Sequence, residues 1–152
     1  MSQSKEIHDV VAQLAGQRCE GADNPYGSIL SVDLGPLGLR RGEESGAKQH
    51  GWRHLTVLSP WRLHTDREVV ADWNVEGGAG GPLPALVKQL VGDVVMAADT
   101  SGPAWDLRLT WKSGLTLCVF SDSTDDRDDA WFILGTDGIE VSAAPEFGAQ
   151  KA

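Results

Sequence analysis

The sequence predicts an α+β domain: two pseudo-symmetric helix-plus-antiparallel-strand repeats packed as one curved sheet, a sandwich or a partial barrel. Three observations predict it. Two short segments carry apolar residues at helical spacing, the segments after each alternate with a period of two, and letters of the front part recur in the same order in the back part. At 152 residues the chain is of single-domain size and can bury roughly 68–70% of its unfolded surface, enough for one core.

The first helical segment places Ile7, Val10, Val11 and Leu14 on one side, with Ser4 as candidate N-cap and Gly16 where a left-handed closing residue belongs. "ILSVDL" from Ile29 then alternates like a half-buried strand. The stretch "GPLGLRRGEESGAKQHGW" that follows is rich in glycine and charge and reads as an exposed excursion. "LTVLS" from Leu55 resumes the strand pattern. The second helical segment opens at Pro82 and Pro84, repeats the spacing with Leu83, Leu86, Val87 and Leu90, and closes at Gly92. "VAQLAG" at 11–16 matches "VKQLVG" at 87–92, "GAD" at 21–23 matches "AAD" at 97–99, and "DLRLTW" from Asp106 answers "ILSVDL". "LTLCVFS" from Leu115 answers "LTVLS", after a tight turn at "KSG". "AWFILGTDGIEVSAA" reads as two strands joined at 136–138. The expected organisation is one domain over 1–152, with repeats at 4–76 and 82–143, a Gly-rich linker at 77–81 and a tail at 144–152.

Thirteen Lys and Arg against 22 Asp and Glu give a formal charge of −9, which repels a phosphate backbone and an anionic leaflet alike. Nucleic acid and membrane are therefore not expected partners. The N-terminus shows no basic segment leading into an apolar run, so a cytoplasmic location is expected. Cys19 and Cys118 are too few and too isolated for a disulfide framework or thiolate zinc site. Cys118 lies in apolar "LTLCVF", a setting that disfavours a thiolate nucleophile. No nucleotide loop or serine-hydrolase elbow occurs, Ser28 has no assignable base, and no catalytic residue, cofactor or metal ligand set is expected.

Two clusters call for weighing. His64, Asp66 and Glu68 alternate and on an extended chain would share a side, but Arg62 and Arg67 compete for the carboxylates and no further ligand is in sight, so they read as framework, as do His54 and His50. The run "SDSTDDRDDAW" gathers Asp122, Asp125, Asp126, Asp128 and Asp129 before Trp131, and lacks EF-hand spacing. An acidic rim beside an aromatic is expected to contact a basic protein. The other tryptophans read as core anchors.

With the helices closing on "LxG", the alternating strands and the final "AWFILGTDG" in view, the chain resembles a class of small bacterial proteins with two related halves. Some similar small acidic proteins are immunity partners of secreted toxins, so the resemblance implies a non-enzymatic, acidic protein-binding module of the immunity type, inhibiting a basic partner. The alternative reading is a small-ligand or metal-binding protein, or an enzyme, with a pocket between the halves that uses His54, His64 or Asp66. Oligomeric state is not legible.

Overall fold

The computed structural model describes residues 2–25, 27–74, 81–101, 105–121 and 130–143. Its elements are α1 (Ser2–Ala12), β1 (Cys19–Asp23), β2 (Leu30–Leu34), β3 (Arg53–Val57), β4 (Trp61–His64), β5 (Val69–Asp72), α2 (Leu83–Val87) with a 3-10 turn at Lys88–Leu90, β6 (Val95–Ser101), β7 (Asp106–Trp111), β8 (Thr116–Val119), β9 (Trp131–Gly135) and β10 (Glu140–Ala143). Among the described residues the strands hold 49 and the helical elements 19. The expected α+β class is therefore wrong. The protein is mostly β, two antiparallel five-stranded sheets in the orders β1-β2-β3-β9-β10 and β5-β4-β8-β7-β6. The helical spacing was real, but it describes an 11-residue helix and a five-residue one. The second of these is cut short as its turn tightens to 3-10 before Gly92, whose φ is +91°.

A second correction concerns how the two parts meet. Helix-plus-strand units lying face to face were expected. Instead each part gives three strands to one sheet and sends its last hairpin into the other: β4 pairs with β8, and β9 pairs with β3. Adding five to β1, β2 and β3 and subtracting five from β9 and β10 turns one sheet order into the other, and the details follow. Both first hairpins carry a bulge, between Cys19 and Gly21 and between Val95 and Ala97. Where the sheets touch, Gly16 N–H donates to Val95 O and Gly92 N–H to Cys19 O, at 2.7 and 2.8 Å. Pairing also fixes which letters correspond: Val57 faces Trp131 as Val119 faces Trp61. "LTVLS" thus answers "LCVFS" from Leu117, two residues later than the letters alone indicate.

Alternation builds the core. β2 and β3 bury every second residue, Leu30, Val32 and Leu34 with Arg53, Leu55 and Val57, and β7 to β9 do the same with Leu107, Leu109, Trp111, Leu117, Val119, Trp131 and Ile133. α1 packs on edge strands β6 and β10, α2 on β5 and β1, so each helix spans one edge of each sheet and adds Ile7, Val11 and Leu14, or Leu83 and Val87, to a single core. Two tryptophans tie the sheets together. Trp61, in the second sheet, donates its indole N–H to Ser28 O just before β2; Trp131, in the first, donates to Trp105 O just before β7, both at 2.8 Å. Trp105 holds a left-handed φ of 62°, and its carbonyl also accepts the Ser121 hydroxyl.

One charge enters the core. Arg53 is 2% exposed and pairs with Asp137 at 2.9 Å and with Gln13 Oε1 at 3.0 Å, while its guanidinium lies 4.0 Å from the Trp52 ring centre. Gly135, directly opposite Arg53, leaves the room that any side chain would fill. The Arg53 hydrogen bond, working against partial burial, holds the Asp137 carboxyl below its ordinary value of 3.8. The linker expected at 77–81 lies, except for Gly81, outside the described residues, as does the tail at 144–152.

Two outcomes follow from this frame. In urea unfolding, Trp61→Phe and Trp131→Phe each lower stability by about 1–3 kcal/mol, through a part-buried or buried carbonyl stripped of its indole donor. The loss is smaller at Trp131, because Trp105 O keeps the Ser121 hydroxyl. Asp137 contributes stability above the ordinary carboxylate pKa and loses it as pH falls through the lower folded value. The unfolding free energy of Asp137→Asn, compared with wild type across the acid range, therefore shows a shallower acid decline and a lower value at neutral pH.

Candidate functional site

The outer face of the first sheet carries the one metal-competent group among the described residues: Asp33, His50 and His54, whose donor atoms lie within 4.8 Å of one another. Alternation places them. With Leu30, Val32 and Leu34 inward, Ser31 and Asp33 share the outer face of β2; with Leu55 and Val57 inward, His54 and Thr56 share that of β3. Register sets Asp33 directly opposite His54 and Ser31 opposite Thr56. His50 comes from the excursion, held by the bridge to Gly38. Gly51 lets that loop descend on β2: a Cβ there would sit 2.5 Å from Leu34 N, and the Gly51 amide reaches Asp33 Oδ1 at 2.9 Å.

The hydrogen bonds form a chain. His54 Nδ1 lies 2.6 Å from Asp33 Oδ1, and His54 Nε2 lies 2.8 Å from Ser31 Oγ. A carboxylate only accepts, so Nδ1 carries a proton; in the neutral ring Nε2 then accepts from the hydroxyl, and in the charged ring it donates to it. The His50 ring stands edge-on to His54 with centroids 5.6 Å apart. Its Nδ1 is buried and without a hydrogen-bond partner. Burial works to raise the Asp33 carboxyl, but the hydrogen bonds from His54 and Gly51 outweigh it and leave the group below its ordinary value. Burial lowers His50, helped by the charges of Arg40 and His54. The side chains of His54 and Asp33 are 14% and 16% exposed, and with Ser31, Glu20, Asp23, Lys48 and Lys88 they line a cavity of about 300 Å³.

Serine, histidine and aspartate in this order resemble a nucleophile relay, but the setting does not serve one. Ser31 is in the middle of a strand paired on both sides, so the nearby amides are committed to ladders instead of converging on an oxyanion. A carboxylate and two imidazoles with one orphaned ring nitrogen suit a divalent ion better.

Sequence reading missed this set, because Asp33 and His54 were absorbed into strand alternation and His50 into the excursion. The usable signal was that alternation alone puts Ser31, Asp33 and His54 outward. The other candidates fare differently. β4 ends at His64, and Thr65 N–H to Glu68 O closes a turn in which Asp66 is exposed, so His64, Asp66 and Glu68 do not share a strand face. Asp122, Asp125, Asp126, Asp128 and Asp129 lie outside the described residues. Trp131 is 0% exposed and packs the core, so it presents no surface to a partner. Compared with known proteins, the chain matches no family model, no curated sequence and no solved structure.

Proposed function

We propose that the outer face of the first sheet is a small-ligand site organised around a divalent transition-metal ion held by Asp33, His50 and His54. The observation that carries this reading is the convergence of three ligand-type side chains within 4.8 Å, reinforced by the unpartnered His50 Nδ1. Ligands of one tetrahedral zinc stand about 3.3 Å apart, given bond lengths near 2.0–2.1 Å. The Asp33–His54 edge, 2.6 Å between Oδ1 and Nδ1, would therefore open on loading, and a neutral His54 binding through Nδ1 would carry its proton on Nε2, facing Ser31. Two imidazoles and a carboxylate leave a coordination position for a ligand. The adjoining cavity, with Lys48 and Lys88 but also Glu20 and Asp23 on its wall, offers a small polar ligand both donors and acceptors.

The acidic protein-binding reading, an immunity-type inhibitor of a basic partner, rests on the charge of −9 and on carboxylates outside the described residues. It has no geometric support comparable to the Asp33 cluster.

Calorimetric titration with Zn²⁺, and the visible absorption of bound Co²⁺, measure the site. One saturable equivalent per chain is expected, raising stability by about 2.7 kcal/mol at a free ion concentration 100 times the Kd. His50→Ala and His54→Ala weaken binding by about 100-fold or more, since even residues that merely orient metal ligands cost 10–100-fold; Ser31→Ala leaves it within a few fold. A folded wild-type protein that shows no saturable binding, or a His50→Ala variant that binds as wild type does, overturns the proposal.

A further inference from the structure

The outer face of the second sheet carries a different arrangement, built around Cys118. Leu117 and Val119 point into the core, so alternation turns Cys118 outward, where it is half-buried. Leu117 and Val119 belong to the other face, while Phe120 shares that of Cys118. Its in-register neighbours are Arg62 on β4 and Arg108 on β7. Beyond them stand Asp72, opposite Arg62, and Asp99, opposite Arg108. A row of Asp, Arg, Cys, Arg and Asp thus crosses five strands. With strands about 4.8 Å apart, the arginines stand one spacing from the thiol and the carboxylates two. Arg62 lays its guanidinium over the Phe120 ring on this same face, 5.3 Å from the ring centre.

A base is also in place. His64 Nε2 lies 3.7 Å from Cys118 Sγ, and His64 Nδ1 lies 2.8 Å from Thr65 O. A carbonyl only accepts, so Nδ1 carries a proton, and in the neutral ring Nε2 turns its lone pair toward the thiol. Cys118, Arg108, Thr100 and Phe120 line a cavity of about 290 Å³ beside this pair, together with Asp99 and with Asp106, whose carboxylate accepts the Ser121 amide. The second cysteine provides a built-in contrast. Cys19 is 0% exposed, its Sγ bonds to Gly21 O, and burial pushes its thiol up to about 12.

We propose that Cys118 is a nucleophilic thiol, with His64 as its proton acceptor, and that it exchanges with small anionic disulfides guided by Arg62 and Arg108. The Cys118 S–H proton passes to His64 Nε2 and the sulfur attacks one sulfur of the disulfide. A new S–S bond to Cys118 forms as the original one breaks, and the other half leaves as a thiolate that can take the proton back from His64. Cys118 is oxidised to a mixed disulfide and the departing half is reduced, so no other oxidant is required.

The test uses the full native chain at neutral pH and low salt with two reagents: dithiobis(nitrobenzoate), a dianionic disulfide that releases a coloured thiolate, and dithiodipyridine, which is neutral. One equivalent per chain reacts in wild type and in Cys19→Ser, and none in Cys118→Ser. His64→Gln slows both reagents about tenfold or more, while the continued silence of Cys19 shows that its fold is intact. Arg62→Gln with Arg108→Gln slows the dianionic reagent several-fold more than the neutral one. Reaction persisting in Cys118→Ser, or an unchanged rate in a folded His64→Gln variant, overturns the nucleophile assignment. An unchanged ratio between reagents in the arginine variant overturns the anionic preference.

Discussion

The structure depends on one constraint: β3 must find β9, and β4 must find β8, across stretches of chain that hold several other strands. Each sheet is complete only when the other part of the chain supplies its last hairpin. The chain passes between the sheets at two matching points, where Leu58 N–H bonds to Ala130 O and Phe120 N–H to Pro60 O. Close by, the Trp61 and Trp131 indoles each donate across to the opposite sheet. A buried indole needs a partner for its N–H, and here the partner is a carbonyl of the other layer, so packing and hydrogen bonding enforce the same arrangement. The short helices cover the edges that this exchange leaves open.

Once the frame is set, inward and outward positions obey different rules. Inward residues at corresponding places stay apolar, and most keep their size: Leu30 and Leu107, Val32 and Leu109, Val57 and Val119, Trp61 and Trp131, with Leu34 and Trp111 differing in volume. A close-packed interior constrains volume tightly. Outward residues at the same places diverge. Where the first sheet has Ser31, Asp33 and His54, the second has Arg108, Thr110 and Thr116; where the second has Cys118, the first has Thr56. One backbone plan therefore carries a carboxylate–imidazole cluster on one face and a thiol between arginines on the other. The buried Arg53 is the exception inside, and it is held by Asp137, Gln13 and the space above Gly135.

Local features were legible in the sequence. Alternation in "ILSVDL" and "DLRLTW" marked β2 and β7, and the hairpins at "KSG" and "TDG" formed with positive φ at Gly114 and Gly138. Helical weight was overestimated because spacing reveals the face of a helix but not its length, and the second turns 3-10 after five residues. Long-range pairing was not legible, since alternation fixes a face and leaves the neighbouring strand open. For the same reason the sites stayed hidden. Asp33 and His54 meet only through the register of β2 on β3, and Cys118 meets His64 only because β4 crosses into the second sheet.

The strand exchange is tested most directly by interstrand nuclear Overhauser contacts in isotopically labelled protein. The account predicts backbone contacts between Leu55 and Ile133 and between Leu63 and Leu117, the in-register pairs of β3 with β9 and β4 with β8. Contacts joining β3 to β4 as a local hairpin, with those two pairs silent, would contradict it.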